Sequence, residues 1–564
     1  MAVEEQREST LAETPDREGA FPRLSEEQIG ALSEHGQHRT VREGDVLFRE
    51  GDESYDFFVV LRGKVAVLEG FGEDEQLIAV HGPGRFLGEL SLLTGQAAFF
   101  TAVVREDGEV LVVPVDRLRK LVSQDPVLGD LILRAYLARR EMLIGLGTGF
   151  RIIGSRFSPD TRRLREFAAR NRLPHRVIDL ERDGEAEALL RGLGISADET
   201  PVVIWRGKHV LRNPSNAELA RAVGLRAPVS PATVGDILIV GAGPAGLAAS
   251  VYGASEGFGT VALDAMATGG QAGTSSRIEN YLGFPSGISG GELAERATIQ
   301  AKKFGARISV PAEATGLEDR GEHHIVTLDD GKTVESRTVV IATGARYCKL
   351  PVPRIEEFEG AGVYYAATEV EAQLCRDDPV VIVGGGNSAG QATVFLARHA
   401  AQVRLLIRGD DLGKSMSRYL ADRIERTPDV EVMRNTEVRE LVGDRALEAL
   451  VVENNQTGER RTIAARALFV FIGAEPYTAW IGDHVALDER GFVLTGQDAA
   501  RAASNGEWEQ LGRPPLLLET SCPGIFAVGD VRATSIKRVA SAVGEGSMAV
   551  RLVYEHLEHI GGVR

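Results

Sequence analysis

The sequence predicts a multidomain α/β and β protein: an N-terminal β-roll with helices, a small α/β domain, then two Rossmann-like dinucleotide-binding units. Three observations carry this. At about 150 residues per domain, a chain of 564 residues needs several cores. Short strands with glycine turns give way to alternating strands and helices near residue 148. Two strand, glycine-turn, helix signatures then follow, at Gly241 and Gly384.

Residues 1–20 mix Glu, Arg, Thr, Pro and Gly without periodicity, the composition of a disordered tail. From Val41 to Val115, short β-rich runs separated by glycine (DVLFRE, YDFFVVLRGKVAVLE, EVLVVPV) predict a roll or small barrel. Arg117 to Leu146 repeats apolar residues at three and four with a break at Pro126, which predicts two helices and completes a domain over 21–147. Over 148–226 the chain alternates: strand Phe150 to Ile153, helix Thr161 to Asn171, strand Arg176 to Leu180, helix Glu185 to Arg191, strand VVIW and helix Asn216 to Val223. A proline-rich linker is expected over 227–233.

Composition narrows the function classes. The net charge is −17, opposite in sign to the face that nucleic acid or an anionic membrane requires. No apolar run reaches the ~18 residues of a membrane span, and the N-terminus has no secretory h-region. Cys348, Cys375 and Cys522 are too far apart in sequence for a CxxC centre or a disulfide framework. A cytoplasmic protein without metal, nucleic-acid or membrane partners is expected.

The stretch DILIVGAGPAGLAASVYGASEGFGTVALDA places Gly241, Gly243 and Gly246 between a buried strand and a helix that opens with Pro244 and Ala245. The first glycine permits the turn, the second lets the backbone approach a pyrophosphate, and the third lets helix pack on strand. Helix-terminal N–H groups then face the phosphates. Asp264, 18 residues after Gly246, is positioned to accept from a ribose hydroxyl. The second signature, VVIVGGGNSAGQATVFLARHAAQVRLLIRG, has Gly384, Gly386, Asn387, Ser388 and Ala389 at its turn. Here Arg408 stands where the first unit has an acid, which favours NADPH over NADH, with Lys414 assisting.

These motifs, with GGQ at 269–271, RIENYLGFP at 277–285, VVIATGA at 339–345 and PGIFAVGD at 523–530, make the stretch from Asp236 to Gly562 resemble the thioredoxin reductase family. The resemblance implies a FAD domain over 234–349 and 477–564, an NAD(P)H domain over 350–476 and a homodimer. It also implies that Gly270, Gln271 and Asn280 approach the flavin and that Thr343 and Gly344 lie at the chain crossing. Gly529 and Asp530 are implied to meet the ribityl chain, with Arg538, Val539 and Ala540 at the pyrimidine end. One family feature is missing: Ala366, Ala367, Thr368 and Glu369 occupy the place of the redox-active CxxC, and Cys375 is alone. Disulfide reduction by that route is chemically closed.

The segment around Ser158, Pro159, Asp160 and Thr161 resembles a thioredoxin or glutaredoxin fold without its CxxC, with Thr200-Pro201 at that family's cis-proline position. The first domain resembles a cyclic-nucleotide-binding domain through REGDVLFREGD, FVVLRGKVAV and GRFLGELSLLTGQ. That resemblance implies Gly88 and Glu89 at the cyclic phosphate and ribose. The family's phosphate-neutralising arginine is replaced by Ala98, followed by Phe99 and Phe100, which favours a docking or dimerisation domain.

The expected function is a FAD-dependent NAD(P)H oxidoreductase that passes hydride from NADPH to FAD and electrons to an unidentified acceptor, such as a small redox protein. No side-chain catalytic acid, base or nucleophile is expected, because the flavin carries the chemistry. The alternatives are a flavin-redox or cyclic-nucleotide sensor, and a ferredoxin/flavodoxin NADP reductase.

Overall fold

The computed structural model describes residues 12–70, 75–205, 209–225, 235–275, 278, 280–321, 323–359, 362–365, 367, 369–444, 446–503 and 507–561. They form two compact units, Met1–Ala227 and Pro228–Arg564.

In the first unit, the long strand Thr101–Val113 pairs antiparallel with Gln37–Val41, Val46–Phe48 and Phe57–Glu69, and the last of these pairs with Gln76–His81. Apolar inward positions such as Val59, Val65, Val103 and Leu111 form the roll's interior. Pro126 ends one helix and starts the next, as a residue lacking an N–H can do without loss. Asp125 caps the start, its carboxylate accepting from Val127 and Leu128, and the second helix runs Pro126–Leu146 until Gly147 turns left-handed. The expected tail is corrected over residues 12–20. Thr14 pairs with Val80 through both backbone and hydroxyl, and Ala20 and Phe21 are buried, so this segment covers the edge strand Gln76–His81 and fills apolar space. Residues 1–11 and the linker 227–233 lie outside the described residues.

A second sheet in this unit has the order His175–Asp179, Phe150–Gly154, Val202–Trp205, His209–Arg212, parallel for the first pair and antiparallel after it. Helix Pro159–Arg170 starts at Ser158, whose hydroxyl accepts from Thr161 N–H, and the Thr200–Pro201 peptide is cis. Trp205 packs edge-on against both Phe99 and Phe150, joining roll and second sheet in one core.

The second unit is built on a parallel sheet, Arg307–Ser309, Thr260–Leu263, Gly235–Val240 and Thr333–Ile341, continued antiparallel by His324–Leu328 and Ala314–Asp319. Ile525–Ala527 returns from far along the chain to pair in parallel with Thr333–Ile341. Between these visits the chain builds a second parallel sheet, Val363–Tyr364, Ala467–Val470, Pro379–Val383, Gln402–Leu406 and Val430–Met433, with a three-stranded meander over Thr436–Ala464. The outward and return crossings, Ala345–Tyr347 and Ala474–Pro476, pair antiparallel. Among the described residues, no helix is long and apolar enough to cross a membrane.

Candidate functional site

Each parallel sheet presents a glycine turn at the carboxyl end of its central strand, the place where doubly wound sheets bind ligands. Gly241 has φ +105, and a Cβ there would lie 2.3 Å from the carbonyl oxygen of Ala342, so the turn and the crossing after Ile341 touch backbone to backbone. A Cβ on Gly246 would lie 1.8 Å from Gly241 O, which holds helix Pro244–Ser255 tight on its strand. Gly243, the residue that caps this helix, faces space instead: a Cβ there would meet nothing nearer than Gly270 Cα at 3.8 Å. The three glycines thus have three separate tasks, and the middle one keeps room for a ligand. Ala245 is buried where helix Val539–His559 crosses at Gly546.

Asp264 follows the strand Thr260–Leu263. Its Oδ2 accepts from Ala242 N–H at 2.8 Å and its Oδ1 from Met266 and Ala267 N–H at 2.9 and 3.0 Å, so the carboxylate braces the glycine turn. Gly270 lies beside Gly243, and Gln271 donates through Nε2 to Ala345 O. Thr343 donates to Tyr477 O at 2.8 Å and Gly344 O accepts from Tyr477 N–H, tying the two crossings together. Asn280 is exposed.

At the end of Ile525–Ala527, Gly529 N–H donates to Glu545 Oε2, and Arg532 pairs with Glu545 at 2.6 Å, anchoring the turn to helix Val539–His559. Asp530 follows. Its carboxylate is half-buried and makes no side-chain hydrogen bond among the described residues; burial pushes its pKa up, Glu545 adds to this and Lys537 opposes it. Arg538 caps the 21-residue helix, so the N–H groups of Val539 and Ala540 are among its open donors. These residues fit a flavin dinucleotide: an acceptor without a donor among the described residues, a helix start, and a turn with room at Gly243.

In the second sheet, a Cβ on Gly384 would lie 2.2 Å from Phe471 O, while one on Gly386 would meet nothing within 4 Å. Asn387 opens helix Asn387–Leu396 and accepts from Ser417 N–H at 2.7 Å; Ser388 is exposed and Ala389 buried. Arg408 is exposed at the end of the next strand with no ion pair among the described residues. Lys414 is instead paired with Asp410 at 2.7 Å, which weakens the case for its assisting at a phosphate.

In the roll, Gly88 has φ +98 and Glu89 is buried. Glu89 Oε1 accepts from Phe99 N–H at 3.1 Å, and Oε2 lies 3.6 Å from Arg140 of helix Pro126–Leu146. Burial raises the Glu89 pKa and Arg140 opposes it. Arg139, pushed down to about 10 by burial, donates to the carbonyls of Ala20, Phe86 and Gly88. Phe99 and Phe100 are buried, and the cavity left beside Glu89 measures about 30 Å³, room for a water or two. Arg139 and Arg140 were not singled out from sequence, although two adjacent arginines inside an apolar helix are a readable signal of buried pairing.

Residues 235–546 match the family described as pyridine nucleotide-disulphide oxidoreductase, and residues 38–125 match the cyclic nucleotide-binding domain. A thioredoxin reductase of Treponema pallidum is 33% identical over 323 residues, 57% of this chain and 97% of the relative. A 34.2 kDa protein in a rubredoxin operon of Clostridium pasteurianum is 29% identical over 57% of this chain and 97% of its own. Among solved structures, Lactococcus lactis thioredoxin reductase superposes with TM-score 0.52 at 29% identity, covering 57% of this chain and 99% of that one. The T. acidophilum enzyme gives TM-score 0.51 at 29% identity, with 57% and 98% covered.

Proposed function

This chain belongs to the pyridine nucleotide-disulphide oxidoreductase family, and on that premise we propose that it is a FAD-dependent NAD(P)H oxidoreductase whose electrons leave for an acceptor outside the chain. The observation that carries the reading is Asp530, a half-buried carboxylate that accepts no side-chain hydrogen bond among the described residues, at the turn before the long C-terminal helix. A ribityl hydroxyl supplies such a donor. A bound flavin provides the capacity to take hydride from nicotinamide and to release electrons singly or in pairs.

The chain's own residues bind, orient and exclude water. Gly243 leaves the pyrophosphate its approach, Asp264 keeps the turn rigid, and the open N–H groups at Val539 and Ala540 favour negative charge at the pyrimidine end. Gly386 leaves a second pyrophosphate its approach, and Arg408 is the cation available to a 2′-phosphate. Residues 366–369 contain no cysteine, and Cys375 is buried, its thiol pushed up to about 11 by burial and donating to Glu371 O. An internal dithiol relay therefore has no residues to run on, which favours a separate acceptor such as a small redox protein. The Glu89–Arg140 pair and the small volume of the pocket beside Glu89 favour a docking role for the roll over a nucleotide-gated one.

The test is anaerobic stopped-flow flavin absorbance with NADPH and with NADH, each with and without cyclic AMP. Fast bleaching with NADPH, unchanged by cyclic AMP, is expected. Flavin that stays oxidised in every mixture overturns the reductase reading in favour of a flavin-binding sensor, and acceleration by cyclic AMP overturns the reading of the roll.

A further inference from the structure

The sheet that carries the flavin turn at its carboxyl end carries a different group of side chains at the other. Asp319 ends strand Ala314–Asp319, His324 begins strand His324–Leu328, and Cys522 lies just before Ile525–Ala527. His324 is in register with Ser336, which is itself in register with Gly235 at the start of the first parallel strand. Six residues of strand, about 20 Å, separate that level from the turn at Gly241. The proposed reaction gives these three side chains no task, and a role for them stands or falls independently of it.

One ligand atom from each of the three lies within 4.8 Å of the others. Cys522 Sγ is 3.3 Å from Asp319 Oδ2, and His324 Nδ1 is 3.2 Å from Asp319 Oδ1. His324 and Cys522 are both buried, yet His324 Nδ1 makes no hydrogen bond there, although a carboxylate oxygen is in reach. An ion bound tetrahedrally at zinc-like bond lengths sets neighbouring N, O and S ligands roughly 3.3–3.6 Å apart, and the two separations, one to each oxygen of Asp319, are of that order.

We propose that Asp319, His324 and Cys522 form a mononuclear site for a borderline divalent cation of the zinc type, clipping the 314–328 hairpin to the chain that enters Ile525–Ala527. One sulfur, one imidazole nitrogen and one carboxylate is a donor set that suits this class over the oxygen-seeking calcium and magnesium. The carboxylate is also held by Gly321 N–H, which donates to Asp319 Oδ1 at 2.9 Å, the kind of support that metal-binding carboxylates receive. The loop is shaped to close on the imidazole: Gly524 has φ +76, and a Cβ there would lie 2.8 Å from His324 Nε2. Three protein ligands leave a fourth position, and the Asp319 side chain, 24% exposed, gives solvent and an incoming ion access to it. Asp319 and Cys522 are 203 residues apart, so binding would tie the interrupted domain's two segments together.

The experiment uses the full-length, flavin-loaded protein, stripped with a chelator and titrated with Co²⁺. The expected result is one Co²⁺ per chain with a thiolate-to-cobalt charge-transfer band, displaced by one equivalent of Zn²⁺, and a thermal midpoint that rises with Zn²⁺. Cys522→Ala should abolish the band, Asp319→Asn and His324→Gln should each weaken Co²⁺ binding at least about tenfold, and Cys375→Ala should leave it intact. Absence of the band in flavin-loaded wild type overturns the proposal. So does a band that survives Cys522→Ala or is lost with Cys375→Ala, because the ion then sits elsewhere. If Cys522→Ala does not retain flavin, Cys522→Ser and His324→Gln decide the point by the Zn²⁺-dependent rise in midpoint, which both must lack.

Discussion

Replacing Asp530 should pull flavin affinity and apoprotein stability in opposite directions. The carboxylate is half-buried, lacks a side-chain hydrogen bond among the described residues, and is held above the usual range by burial and by Glu545. An acid whose folded pKa is raised binds more protons folded than unfolded, so stability falls as pH rises from the ordinary value of 3.8 through the raised one. At neutral pH the apoprotein carries that whole cost. Asp530→Asn removes the charge and keeps the shape, so the apoprotein's thermal midpoint should rise at pH 7 and converge on wild type as pH falls towards 3.8. Flavin binding should change the other way. Losing a charge-assisted hydrogen bond costs about 1.5–3 kcal/mol, so Asp530→Ala should raise the FAD dissociation constant roughly 10- to 150-fold. Calorimetric titration of deflavinated protein with FAD reads the affinity, and melting of the same samples reads the stability. Unchanged affinity in Asp530→Ala, or a lower midpoint for Asp530→Asn at pH 7, would refute the reasoning.

Three further outcomes follow from the geometry. Gly246→Ala places a methyl 1.8 Å from Gly241 O and should destabilise the fold by about 1–3 kcal/mol or more, whereas Gly243→Ala meets nothing closer than 3.8 Å and should keep the apoprotein's midpoint while losing flavin; melting and flavin-to-protein absorbance separate the two. Arg408→Ala should raise KM for NADPH about tenfold or more while leaving that for NADH nearly constant, and Lys414→Ala, already paired with Asp410, should do much less; steady-state kinetics with both nucleotides check this. Glu519 is buried, and although burial raises its pKa, His556, Arg513 and the N–H groups of Leu516 and Gly524 outweigh this and hold it down to about 2. A depressed carboxylate contributes stability above its ordinary value of 4.5 that is lost as pH falls towards 2. Glu519→Gln should thus cost on the order of 3 kcal/mol at pH 7 and little near pH 2, measured by unfolding across that range.

The two glycine turns were legible because their physics is local. Gly241, Gly246 and Gly384 meet backbone atoms at distances that no side chain tolerates, so the residue type announces the contact. The helix break at Pro126 and the start at Ser158 were readable for the same reason. The spacing of Asp264 says that the acid ends a strand; that three N–H groups of its own turns donate to it was decided by the fold. Residues 12–20 look disordered in composition because Thr14, Ala20 and Phe21 find partners more than fifty residues away or on a distant helix. The loss of the phosphate arginine at Ala98 was visible, but not the Arg140 that meets Glu89.

By itself the sequence determined the N-terminal β-rich domain ahead of a reductase-like fold, the two glycine turns, the absence of a CxxC and the sign of the net charge, because each depends on neighbours within a few residues or on composition alone. Tertiary structure alone decided which charges meet. Glu89 with Arg140, Glu519 with Arg513 and His556, and Asp319 with His324 and Cys522 draw partners from separate elements. Such pairings depend on sheet order and helix packing, which bring together residues that no local spacing connects.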